Sequence, residues 1–311
     1  MNSKVLPRQL TGWLLLGTIV PLLCLLGYNG WQATFFTALI CGVITFWVLP
    51  CDLTNCPKWV SALELLWLPI FLGGIAAECS TCWDGQGKMI PLALLVLSAW
   101  GAQLGAQTAS RAVAILCWLL LPLLAIVLLA GGENLDLQWI ERELDQSDGR
   151  LTAVLLLPGL AAFIPGNGRK KATWMIPVIG GVTVLSALWL EATVGATVAK
   201  TVSNGFYEYS KGITLFGVAE RFEALVACAL TGGWFALFAI VLSAANHLAQ
   251  NLKNGWGRGS TWLCALVGVV LMCTLHIPPE ILGFGSLIFW GLLPLLTQGL
   301  GLQKKSGKSG K

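Results

Sequence analysis

The sequence predicts an all-α integral membrane protein of about ten transmembrane helices, built as an inverted 5+5 repeat with broken helices 1 and 6. Three observations lead there. First, about ten apolar stretches run from Leu10 to Leu302, and each approaches the roughly 20 residues that cross a hydrocarbon core ~30 Å thick. Second, helix breakers interrupt the first and the sixth stretch, the pairing that points to a ligand site between discontinuous helices of inverted repeats. Third, 56% of the residues are hydrophobic, 11% are charged, and the mean hydropathy is +0.76. A soluble domain carries roughly 25% charged residues, so that class is excluded.

The spans read as residues 10–28, 31–50, 59–78, 89–107, 112–131, 151–167, 173–192, 217–246, 260–278 and 281–302. They form one permease-like domain over 1–311, with repeat one at 10–131, repeat two at 151–302 and a basic tail at 303–311. The connections are short, which leaves no room for a separate soluble domain. Leu10–Gly27 has the length of a signal-peptide core. No small-residue cleavage site follows it, and further spans do, so it is expected to be retained.

The first span reads Gly12-Trp-Leu-Leu-Leu-Gly17-Thr18-Ile-Val-Pro21. Pro21 lacks a backbone donor, and its ring disfavours a continuous helix. Unwound backbone inside a membrane is tolerated where it lines a protein cavity. A break near Gly17, Thr18 and Pro21 is therefore expected to offer backbone groups to a ligand; an ordinary proline kink is the plainer reading. The sixth span carries Pro158-Gly159 at mid-span and Pro165-Gly166 at its end. A Pro-Gly pair is a strong breaker. Half-helix N-termini there would carry partial positive charge suited to a carboxylate.

The third span contains Glu64. A charged carboxylate at the bilayer centre costs ~2.5–3.5 kcal/mol on insertion scales, so an intramembrane acid is a functional candidate by default. Glu64 is a possible proton site or partner of an interior donor, with interfacial packing as the structural alternative. Glu191, near the end of the seventh span, reads as structural. The eighth span opens Gly217-Val-Ala-Glu220-Arg221-Phe-Glu223. Arg221 and Glu223 are two apart and do not share a helix face, so each needs a partner on another element. A latch across helix ends, or direct ligand contact, are the two readings.

Lys and Arg set the orientation. With the N-terminus in the cytoplasm, Lys4, Arg8, Lys58, Arg111, Arg169, Lys170, Lys171, Lys253, Arg258 and the Lys304–Lys311 tail fall inside. The acidic loop holding Glu133, Glu141 and Asp148 falls outside. Both termini are then cytoplasmic. The net charge of +4 is a topology signal with possible contact to anionic lipid, and implies no nucleic acid. Most of the ten cysteines lie inside spans, where Cys behaves as a small apolar residue. Cys79 and Cys82 have CxxC spacing, compatible with unpaired thiols or a disulfide. No metal is expected, because further ligands are missing nearby. The motifs GxxxxGK[ST], GxSxG and HExxH are absent, so neither an enzyme nor a cofactor is indicated.

Several segments carry a family resemblance. Pro7-Arg8-Gln9-Leu10, the Trp31 region, Ile90-Pro91 through Gly105 to Arg111, and Asn204-Gly-Phe206-Tyr-Glu-Tyr through Gly217 to Arg221-Phe-Glu223 resemble the B-subunit permeases of spore germinant receptors. That family is a branch of the amino acid–polyamine–organocation transporter superfamily. The resemblance implies a nutrient-sensing subunit with a small-molecule germinant, often an amino acid. It also implies partner A and C subunits and residence in the inner membrane of the bacterial endospore. This chain departs from the family in its compressed third span and outer loops. The rival expectation is a proton-coupled transporter for amino acids or another small solute. A scaffold that binds no ligand itself is the third.

Overall fold

A computed structural model describes residues 5–26, 30–83, 87–130, 148–166, 169–195, 204–211 and 222–300, with single positions between 135 and 140. Among these residues the regular structure is helical, and one isolated bridge joins Val5 to Gly166. The helices are α1 (Pro7–Leu25), α2 (Trp31–Val48), α3 (Lys58–Thr81), α4 (Met89–Gln103), α5 (Ala106–Ala130), α6 (Gly149–Leu155), the short α7 (Arg169–Ala172), α8 (Met175–Val194), α9 (Gly205–Lys211), α10 (Phe222–Leu252), α11 (Gly257–Thr274), α12 (Pro279–Ser286) and α13 (Leu293–Gly299). A 3₁₀ segment, Leu157–Phe163, continues α6, and a π segment, Leu287–Leu292, joins α12 to α13. Eight stretches are long and apolar enough to cross a membrane, and Met89–Gln103 and Gly149–Phe163 are shorter apolar helices. Together they occupy the ten apolar stretches of the sequence.

α1 and α10 form the centre. Trp13 donates its indole N–H to the Ala236 carbonyl at 3.1 Å. A Cβ on Gly17 would stand 3.1 Å from the Leu237 nitrogen, and one on Gly233 would overlap Val20. Small residues at these points let two helix backbones approach closely, the usual basis of helix association in lipid. Large apolar side chains elsewhere face outward, among them Phe36, Ile40, Trp47, Ile115, Trp118 and Leu266. On a soluble protein such a belt would mark an interaction surface; here it faces lipid.

The contacts between spans have an internal symmetry. Span one (α1) packs on span five (α5) as span six (α6) packs on span ten (α12). Span four (α4) packs on span eight (α10) as span nine (α11) packs on span three (α3). Spans one and seven (α8) meet as spans six and two (α2) do, while pairs two–seven, three–eight and four–nine map onto themselves. Exchange of each span with the one five places on reproduces these contacts. Some pairs depart from it, most of all one: span one packs extensively on span eight, whereas span six makes no comparable contact with span three.

Two expectations are corrected here. The first span is not broken: α1 runs continuously over Pro7–Leu25 with Pro21 inside it. Its Gly17 serves close approach to α10 rather than unwinding. The eighth span runs further than expected: its helix is described over Phe222–Leu252, past the expected end at 246, and residues 217–221 lie outside the described residues. Arg221 lies outside the described residues, and Glu223 falls in the first turn of α10. The expected latch from these residues across the helix ends therefore lies outside the described residues.

Candidate functional site

The sixth span is discontinuous where the Pro-Gly pair predicted it. Helical geometry ends at Leu155, Pro158 sits at the start of the 3₁₀ segment, and Ile164 is extended with ψ 134°. Every residue from Leu157 to Phe163 is buried. A helix end inside a membrane must find partners for its carbonyls, and here the neighbours supply them. Leu53 N–H donates to the Ala162 carbonyl at 3.0 Å, and Val5 N–H to the Pro165 carbonyl at 3.1 Å. Arg169 donates to the Ile164 carbonyl and, at 3.3 Å, to the Cys51 carbonyl.

Arg169 was legible only as a topology charge. It is in fact 5% exposed and pairs with Asp52 at 2.9 Å. Partial burial alone would raise the Asp52 carboxyl, but hydrogen bonds from Arg169 and Thr54 hold it below the usual carboxylate range. The same end of the bundle is tied further by α10. His247 shares a hydrogen bond with the Thr54 carbonyl at 3.2 Å, and Asn251 donates to the Cys56 carbonyl at 3.0 Å and to Ser61 Oγ at 2.9 Å. Val5, the 51–56 connection, Arg169 and the end of α10 thus close the basic side.

Glu64 lies about one turn further in from Ser61 on α3. It is 0% exposed, and neither carboxyl oxygen has a hydrogen-bond partner. The indole N–H of Trp290 is the donor that approaches the Glu64 carboxyl, without completing the geometry of a hydrogen bond. Trp67 Nε1 and Ser286 Oγ are likewise buried and unpartnered. Aromatic contacts fix the surroundings. Trp67 stacks on Phe289 at 5.2 Å, and Phe71 meets Trp290 edge-on at 4.5 Å. Trp290 belongs to the π segment of span ten, a geometry often found at functional sites.

Trp290 also reaches the broken span. A Cβ on Gly159 would stand 2.7 Å from the Trp290 carbonyl oxygen and 3.5 Å from Val48. Glu64, Trp290 and Gly159 therefore form one chain of contacts, with Trp290 of span ten lying between spans three and six. This arrangement brings together Glu64 with Pro158 and Gly159. Gly17 instead faces α10, as the contacts of its Cβ position show. Thr18 is 0% exposed with an unpartnered hydroxyl, and Pro21 is buried in the same helix. Sequence reasoning missed Trp290, because a π segment leaves no periodicity signal.

The opposite end has its own latch. Arg150 pairs with Glu78 at 3.0 Å and with Asp148 at 3.7 Å, tying the start of α6 to the end of α3. Glu191 is structural, as expected: it accepts the N–H of Trp31 at 2.7 Å, at the first turn of α2. Cys79 and Cys82 are buried free thiols. No metal-binding cluster occurs among the described residues.

Comparison with family models and with curated proteins finds no match. Among solved structures, the fold is similar to that of MHP1, a nucleobase-cation-symport-1 family transporter, captured in a closed conformation with bromovinylhydantoin bound. The TM-score is 0.52 at 13% identity, and the match covers 93% of this chain and 75% of that one. The class follows from fold and composition together. This is an all-α, integral, multi-pass membrane protein whose fold is similar to that of this transporter.

Proposed function

We propose that the protein is a permease that moves a small solute across the membrane, with Glu64 as its proton-carrying group. The observation that carries this reading is the zero exposure of Glu64, with no completed hydrogen bond on either oxygen and only the Trp290 indole approaching it, beside the discontinuous sixth span. Intramembrane acids of this kind mark ion pathways and proton relays. A buried carboxyl without a partner is accommodated when it carries a proton; an ionised one needs a cation or water. Loading and release of that proton would then accompany rearrangement of the Gly159–Trp290 contact. The symmetric span contacts support two five-span repeats, 10–131 and 151–302, with both termini on the basic, cytoplasmic side. Solute would bind near Pro158 and Gly159, with Gly17, Thr18 and Pro21 of α1 supporting from the core.

A second reading assigns the same site to a germinant-sensing subunit in the inner spore membrane, with A and C subunits as partners and an amino acid-like germinant as ligand. The segments around Pro7–Leu10 and Asn204–Tyr209 favour it by their resemblance to that family. Thermal stabilisation of the purified protein across amino acids, nucleobases, hydantoins and sugars tests for a ligand. Saturation at ~100 Kd adds about 2.7 kcal/mol. Uptake of the stabilising compound into vesicles supports the permease, binding without uptake supports the sensor, and no stabilisation by any compound defeats both.

A further inference from the structure

A groove of about 700 Å³ opens between α2 and α8 on the outside of the bundle. Its floor is made of small or recessed residues, Ala38, Gly42, Ile176 and Gly180. Its walls are apolar and outward-facing, including Phe35, Phe46 and Leu185. Trp47 and Trp174 flank one mouth, 66% and 55% exposed, and tryptophans at such positions mark the membrane–water interface. From Trp47 back to Phe35 along α2 is 12 helical residues, or about 18 Å at 1.5 Å per residue. That is close to the depth of one leaflet, about half of a ~30 Å core.

Basic residues precede the mouth in sequence. Lys170 and Lys171 are exposed in α7, immediately before Trp174. Neither forms an ion pair among the described residues, whereas the neighbouring Arg169 is buried against Asp52. An apolar channel one leaflet deep, opening at tryptophans with two exposed lysines three and four residues before one of them, fits a single class of occupant. We propose that this groove is a binding site for one anionic phospholipid, with its headgroup on Lys170 and Lys171 and an acyl chain along Gly42 and Gly180.

The site reaches the broken span. Ala38, Gly42, Ile176 and Gly180 also border a small internal void lined by Leu155, Pro158, Ile179 and Thr45. Thr45 is 1% exposed, and its hydroxyl has no partner. The acyl chain would therefore lie one side-chain layer from Pro158, where its presence supports the discontinuous segment. This inference stands apart from the identity of the transported or sensed solute.

The test uses the full chain purified in mild detergent. Native mass spectrometry reads retention of phosphatidylglycerol against phosphatidylcholine. One phosphatidylglycerol is expected to stay bound through delipidation in preference to phosphatidylcholine. The double variant Lys170→Gln/Lys171→Gln is expected to weaken its retention roughly 30-fold, since each basic residue near an anionic surface contributes about fivefold. Gly181→Trp fills the groove instead and is expected to remove both lipids. A Cβ there meets nothing within 4 Å, and the lysines are exposed, so all three substitutions leave the fold in place, as a monodisperse chromatogram verifies. Equal retention of both lipids, or retention unchanged in the variants, overturns the proposal. So does a doubled mass that Gly181→Trp abolishes, which would assign the groove to a second copy of the chain.

Discussion

Replacing Glu64 by methionine is expected to make the protein more stable and inactive at once. The side chain is fully buried on α3, and its two oxygens make no hydrogen bond. An unsatisfied buried polar group costs about 1–3 kcal/mol, while an apolar group of similar shape is nearly neutral or better. Methionine is close to glutamate in length and adapts to irregular gaps, so packing beside Trp290 should persist. The expected gain is about 1–3 kcal/mol, from removal of the polar group alone. Unfolding in detergent, followed by tryptophan fluorescence, measures it. The same variant in vesicles should lose proton-driven uptake. Such opposition between stability and activity is the signature of a functional residue held in a costly place. A destabilisation greater than about 1 kcal/mol would refute the reasoning, since it would mean that the carboxyl has a structural partner in the folded protein.

Other consequences follow from the two ends of the bundle. Arg169→Gln should destabilise by about 1.5–3 kcal/mol through loss of charged hydrogen bonds to the Cys51 and Ile164 carbonyls, measured by the same unfolding assay. Asp52→Asn should cost no more than ~1 kcal/mol, because the carboxylate is mostly exposed and screened. The Asp52 carboxyl is held below its usual range in the folded state. Its contribution is therefore present at neutral pH and fades as pH falls through and below the ordinary aspartate range near 3.9. A pH series comparing wild type with Asp52→Asn reads this directly. A double-mutant cycle on Glu78→Gln and Arg150→Met should show a coupling of about 0.5–3 kcal/mol, since the two are in direct contact. Gly159→Ala should destabilise by about 1–3 kcal/mol through overpacking against the Trp290 carbonyl, and should weaken ligand-induced stabilisation.

Much of the architecture was legible because lipid imposes a strong rule: every span must satisfy its own backbone. Ten apolar stretches therefore became eight full-length helices and two shorter ones. Pro158-Gly159 predicted its break correctly because two adjacent breakers leave no helical solution across them. Gly17 and Pro21 looked similar on paper, but they are four residues apart, and Gly17 is a packing contact with α10. Glycine as breaker and glycine as close-approach residue are indistinguishable without knowing the neighbour. Glu64 stood out because a carboxylate inside an apolar run is rare. Its companion Trp290 did not, because a mid-span tryptophan reads as ordinary apolar packing and the π segment that carries it leaves no periodicity signal. Arg169 was hidden for a similar reason: buried and exposed basic residues share the same loop positions, and only the carbonyls it caps tell them apart.

The most direct test of the central claim is uptake of a stabilising compound into proteoliposomes under an imposed proton gradient, wild type against Glu64→Gln. The account predicts uptake that follows the gradient in the wild type and is lost in Glu64→Gln, with ligand-induced stabilisation retained. Uptake that is indifferent to the gradient, or unchanged in Glu64→Gln, would contradict it.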